Sequence, residues 1–390
     1  MTATMQSGGG TAAALLAEIV RAHPRVADVN LSVGRPPQME VDGRLQPLAG
    51  HPPLGPEDTA RLARELIGDV PRLWQDLEES GSCDCAFAAE SGARFRVNVF
   101  KAGGHLGIVL RLLPSEVPSF ESLGLPPVLQ QATASPNGLV LVTGATGSGK
   151  STTLAALIDQ VNRTRAVHIV TLEDPIEFRH VHRCATINQR ELGRDFTTFA
   201  AGLRAALRQA PKIILVGEIR DRETVEIALK AAETGHLVLS TMHTIDAGQT
   251  INRIVGMFDA AEQRVVRTRL ADVLRLVVGQ RLLPRQGGGR VAVLEVLGNS
   301  LPVRELIVQG ERPDRTFYDV IRDGARAGWQ TFDQHIARLY RDGVIGEEVA
   351  FTYCSDRSAL RRAVDEIKGA RGEATSDLGE LEMERPTRRK

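Results

Sequence analysis

The amino-acid sequence predicts an α/β protein in two folded parts. Three observations predict it. From Gly138 onward, short apolar strands alternate with amphipathic helices, the signature of a parallel sheet with crossover helices. Directly after the first of these strands stands Gly144-Ala-Thr-Gly-Ser-Gly-Lys150-Ser151, which fits the phosphate-binding pattern G-x-x-x-x-G-K-[ST]. Ahead of both, about 100 residues alternate polar and apolar positions between turns, an α+β region of mostly antiparallel strands.

Taken in order, residues 1–10 are polar, Gly-rich and expected to be disordered. A helix follows from Thr11, with Leu15, Leu16, Ile19 and Val20 on one face. Val29, Leu31 and Val33 alternate as a strand until Gly34-Arg-Pro-Pro37 breaks it, and Met39 and Val41 resume it up to an Asp42-Gly43 turn. The spacing predicts a helix over 57–67 and strands over 94–100 and 107–113. Residues 11–113 thus form the first domain. Pro114, Pro118, Pro126 and Pro127 mark 114–127 as a linker. Residues 128–368 form the larger domain, with strands over 139–143, 167–172, 213–216 and 237–240. After Asp259 the pattern reads as helical, with Leu270, Val273, Leu274 and Val277 in one stripe and a second stripe over 329–340. Residues 369–390 are expected to be a disordered tail.

Composition narrows the function. The 390 residues carry 48 Lys+Arg against 48 Asp+Glu, so the chain has no basic excess for coating nucleic acid or anionic membrane. Aromatics are 4%, too few for a base-stacking platform, and no nucleic-acid partner is expected. No run of eighteen apolar residues predicts a membrane span, and the amino terminus lacks a signal-peptide layout, so the expectation is a cytoplasmic protein. Cys83, Cys85, Cys184 and Cys354 lack the paired Cys-x-x-Cys spacing of a zinc site and read as free thiols.

Each position of the loop has a physical task. The glycines at 144, 147 and 149 let backbone N–H groups turn inward around phosphates, together with Ala145, Thr146 and Ser148. Lys150 places a positive charge at the β and γ phosphates of ATP, and the Ser151 hydroxyl suits Mg²⁺. Thr152 continues the nucleotide-binding run into a helix whose positive dipole end faces the phosphates.

Ligands of a parallel sheet bind beyond the carboxyl ends of its strands. Three further strands end there in polar groups: Glu173-Asp-Pro-Ile-Glu177, Gly217-Glu218-Ile-Arg-Asp221 and Thr241-Met-His243-Thr244. Glu218 suits the metal side and Glu177 the orientation of water, and His243 is placed to sense the γ-phosphate. A lone Glu at such a strand end is otherwise a helix cap or ion pair, and a lone His a structural one. Arg94, Arg96 and Arg111 are candidates for neutralising phosphate charge, with Arg94 and Arg96 on one face of their strand; the other reading is a solvated basic edge.

These motifs, together with Ala232-Glu-Thr-Gly-His236, resemble the secretion-type hexameric ATPases and, within them, the type IV pilus retraction motors of the PilT/PilU family. The resemblance covers residues 12–368 or so. Gly328-Trp-Gln-Thr-Phe-Asp-Gln334 and Leu339-Tyr-Arg-Asp-Gly-Val-Ile345 look more like PilU than PilT. The resemblance implies a PAS-like α+β domain followed by a RecA-like P-loop ATPase domain with C-terminal helices. It implies Glu177 as catalytic base, Glu218 as the Walker B acid, and His236 and His243 as His-box residues. It further implies ATP and Mg²⁺ as cofactors, a homohexamer at the cytoplasmic face of the inner membrane at the pilus base, a pilus platform protein as partner, and a PilT-like motor as a second one. A pilus-extension or type II secretion assembly ATPase is the alternative, and a nucleotide-gated scaffold with little turnover is another.

Overall fold

A computed structural model describes residues 11–23, 26–41, 44–89 and 92–373. The expected disorder of residues 1–10, the Asp42-Gly43 turn and most of the tail lie outside them. The chain divides into two compact units, Met1–Ser119 with Ile158–Gly217, and Phe120–Leu157 with Glu218–Lys390.

The first unit begins with a six-stranded antiparallel sheet. Its strand order is Arg44–Pro47, Gln38–Val41, Val26–Leu31, His105–Leu113, Arg94–Ala102, Ser82–Ala88. Period-2 patterning puts Phe95, Val97, Val99, Ile108 and Leu110 on the buried face, each 0% exposed. The helices Ala12–Ala22, Pro56–Ile67 and Pro71–Glu79 bury Leu16, Ile19, Leu62, Leu66, Leu73 and Leu77 in the same core. Each such side chain contributes about 1.5–3 kcal/mol by leaving water. Pro56 at the first helical position and the Gly55 N–H donated to Asp58 Oδ2 at 2.9 Å start the second of these helices.

The same unit holds three parallel strands, Ile213–Val216, His168–Glu173 and Thr186–Glu191, in that order. The first two are buried on both faces, which is why their sequence runs apolar without alternation.

In the second unit, the strands Leu237–Met242 and Leu274–Pro284 flank Gly138–Thr143 in parallel. Arg290–Gly298 adds antiparallel to Leu274–Pro284. The crossover helix Arg222–Glu233 starts at Asp221, whose side chain accepts from the Thr224 N–H at 2.8 Å. C-terminal helices, among them Phe332–Arg341 and Arg357–Arg371, close a separate core around Phe332, Ile336, Tyr340, Leu360 and Val364.

The helical stripe expected through Leu274 and Val277 is corrected. The helix Ala260–Val273 ends there, and both residues lie in a strand buried on both faces. Periodicity alone does not separate such a strand from a buried helix. The strands Ser82–Ala88, Thr186–Glu191 and Arg290–Gly298 went unread for a related reason: their alternation is interrupted by charged or small residues. The last helix continues through Gly369 to Arg371, past the expected start of the tail.

Candidate active site

The phosphate loop leaves the strand Gly138–Thr143 and enters the helix Lys150–Thr164. Gly147 has φ +79° and Gly149 φ +88°, the left-handed region that favours glycine. Lys150 is 8% exposed and its Nζ donates to the carbonyls of Gly144 at 2.8 Å and Ala145 at 3.0 Å. The ammonium is thus held inside the loop. The Ser148 hydroxyl is buried and has no hydrogen-bond partner, while Ser151 is exposed at the first turn of the helix. The loop combines a positive charge, a helix amino terminus and an unmet hydroxyl, which together suit a polyphosphate.

The loop is tied to the His243 segment. Thr143 lies directly before it, and its hydroxyl donates to the Thr244 carbonyl at 2.5 Å. His243 Nε2 is 3.3 Å from Glu218 Oε2, and Arg220 Nη2 is 2.5 Å from Glu218 Oε1. The Glu218 side chain is 12% exposed, and its Oε2 has no hydrogen bond. Arg220, Met242, His243 and Thr244 line an open pocket of about 690 Å³. One carboxylate, one imidazole and one guanidinium therefore gather within the second unit. Ser151 and Glu218 fit Mg²⁺ by donor chemistry, both offering hard oxygen, with the remaining ligands left to phosphates and water.

The acidic box belongs to the first unit. Glu173 accepts from Thr171 Oγ1 at 2.6 Å and from Gln189 Nε2 at 3.0 Å. Burial pushes its carboxyl up to about 7, against those two hydrogen bonds. The Asp174–Pro175 peptide is cis. Arg94 donates to the carbonyl oxygens of Ile176 and Glu177. The Ile176 N–H donates to Glu191 Oε2 at 3.2 Å. The box backbone is thus held from both sides while the Glu177 carboxylate stays half-buried. Burial, then the nearby Arg179, lowers the Arg94 pKa.

The three candidate arginines separate. Arg94 braces the acidic box. Arg111 makes a two-point ion pair with Asp28, both contacts 2.8 Å. Arg96 lies opposite Arg111 in the sheet and is exposed. His236 also stands apart from His243. It lies at the amino end of the strand whose carboxyl end leads to His243, roughly 20 Å along the strand. Its Nδ1 is 3.1 Å from the Ala231 carbonyl at the end of the preceding helix.

Sequence reasoning did not single out Arg220, Thr153 or Gln280. Gln280 had a readable signal, an amide that with Arg281 interrupts the otherwise apolar run 276–283.

A strand-to-helix phosphate loop with an ion-paired carboxylate in the same unit defines the class: a P-loop nucleotide-binding protein. Comparison with known proteins narrows that class. The family model for type II/IV secretion system protein matches residues 84–288. The chain is 44% identical over 326 residues to the type IV pilus retraction ATPase PilT of Pseudomonas aeruginosa, covering 83% of this chain and 93% of that protein. It is 38% identical over 336 residues to the type IV pilus ATPase PilU of the same organism, covering 86% and 87%. A crystal structure of the pilus retraction motor PilT with bound ADP superposes with a TM-score of 0.82 at 42% identity, over 90% of this chain and 99% of that one. The chain belongs to the type II/IV secretion system ATPase family, and within it to the PilT/PilU type. Overall identity is higher to PilT, at 44%, than to PilU, at 38%. The fold class expected from sequence holds: α/β, with a small β-rich amino-terminal part and an ATPase part carrying C-terminal helices.

Proposed function

We propose that this chain is a Mg²⁺-dependent ATP hydrolase that works as a homohexameric motor driving type IV pilus retraction, and with it twitching motility. The observation that carries the reading is the pairing of the Lys150 loop with the Glu218–His243 cluster on one unit, tied together through Thr143 and Thr244. The relatives named for pilus retraction, matched over most of their length, support the direction of work.

In this reading Gly144 to Thr152 hold the nucleotide, with Lys150 at the β and γ phosphates. Ser151 and Glu218 hold Mg²⁺, which when bound neutralises charge on the phosphates. Glu177 orients or deprotonates the attacking water, and Arg94 keeps the backbone of its box in place. His243 holds Glu218 and reads the γ-phosphate. Arg96, exposed on its sheet, serves phosphate charge from a neighbouring copy. The ring sits at the cytoplasmic face of the inner membrane and passes domain motion to a pilus platform protein, alone or beside a PilT-like motor.

A deletion strain complemented with wild-type or Lys150→Ala chain tests this. Surplus surface pili and lost twitching, restored only by wild type, are expected. Loss of pili would assign the chain to extension instead.

A further inference from the structure

Gln280 is 3% exposed within a largely apolar strand. That strand runs parallel to Gly138–Thr143, with Gly279 opposite Thr143. Gln280 therefore emerges one residue beyond the point where the neighbouring strand becomes the phosphate loop. Its Nε2 donates to the Ser148 carbonyl at 2.8 Å, and its Oε1 accepts from the Thr153 hydroxyl at 2.8 Å. Both ends of the amide are used, which sets its orientation. The loop is shaped around it. A Cβ at Gly149 would lie 2.8 Å from Gln280 Nε2, and one at Gly144 would strike the Gln280 carbonyl oxygen. The strand is anchored on its other face by Arg281, whose guanidinium lies 3.8 Å over the Phe332 ring and donates to Ser355 Oγ at 3.0 Å.

We propose that Gln280 is a positioning residue of the phosphate site. The Ser148 carbonyl and the Gly149 N–H belong to one trans peptide and point opposite ways. Holding the carbonyl outward therefore aims the Gly149 N–H into the loop, at the phosphates. The Thr153 hydroxyl fixes the same amide to the first turn of the following helix. Loop and helix are set as one piece before nucleotide arrives, which lowers the ordering cost of binding. This inference rests on the nucleotide-binding reading of the loop.

The test is titration of the full chain with fluorescent ADP, alongside thermal melting. Gln280→Glu keeps size and still accepts from Thr153, but sets an anion against the Ser148 carbonyl. It is expected to weaken ADP binding about tenfold or more with the fold retained. Thr153→Val is expected to weaken it about threefold, and Thr153→Ser to restore it. Gln280→Leu combined with Thr153→Val is expected to lose less than the product of the single losses, because the two share one contact. Wild-type ADP affinity in folded Gln280→Glu overturns the proposal. If that variant does not fold, Thr153→Val decides, and unchanged affinity there overturns it. A wild-type chain that binds no ADP fails the nucleotide reading itself, a separate outcome.

Discussion

The guanidinium of Arg94 donates to the backbone carbonyl of Glu177 at 3.2 Å. It also donates to the carbonyl of the preceding Ile176. An arginine expected from sequence to face phosphate therefore supports the acidic box that carries the proposed base. Arg94→Ala should lower ATP turnover about tenfold, about 1.4 kcal/mol in the barrier. ADP affinity should change much less, because the loop that binds it is untouched. Steady-state kinetics with parallel ADP titration checks this, and an equal loss in both would return Arg94 to a binding role.

Arg111 predicts the opposite pattern. Its side chain is 69% exposed and paired with Asp28 on the neighbouring strand. Exposed pairs contribute at most about 1 kcal/mol. Arg111→Ala should shift the melting temperature by no more than a few degrees and leave the turnover of the isolated chain unchanged.

The two histidines should also part. His243 touches Glu218, whereas the His236 ring lies against the carbonyl of Ala231, which also accepts from the Thr234 and His236 N–H groups. His243→Ala should reduce turnover with little change in melting. His236→Ala should cost about 0.5–1.5 kcal/mol of stability through the lost hydrogen bond. Reversed results from melting and kinetics on the two variants would move the catalytic role to His236.

Glu295 predicts a pH dependence. Burial raises its carboxyl from 4.5 to about 7, opposed by the hydrogen bond it accepts from the Ala247 N–H at 2.9 Å. The folded state thus holds its proton more tightly than the unfolded state does. Stability is highest below pH 4.5 for this group and falls as pH rises toward 7. Glu295→Gln keeps the acceptor for Ala247 and removes the titration. Denaturant midpoints between pH 5 and 8 should therefore fall less steeply with pH in the variant, and an unchanged slope would contradict the assignment.

Much of this was legible in the sequence because the signals were local. The G-x-x-x-x-G-K-S run and the apolar strands before Glu218 and His243 each carry their own pattern, and the structure places Glu218 beside His243. Arg94 was legible as a charge on a strand face, but not its partner, which lies 83 residues away. Leu274 and Val277 were misread because a strand buried on both faces has no alternation to display. Gln280 was missed because its contacts at Ser148 and Thr153 lie 132 and 127 residues away, reached only through strand pairing.

The proposed function turns on ATP hydrolysis at the Lys150 loop with Glu218 as its acidic partner. The most direct measurement is phosphate release by the purified full chain with ATP and Mg²⁺, compared with Lys150→Ala and Glu218→Gln. Wild type should turn over ATP, and each variant should lose about 100-fold or more while remaining folded. Turnover that survives in either folded variant would contradict it.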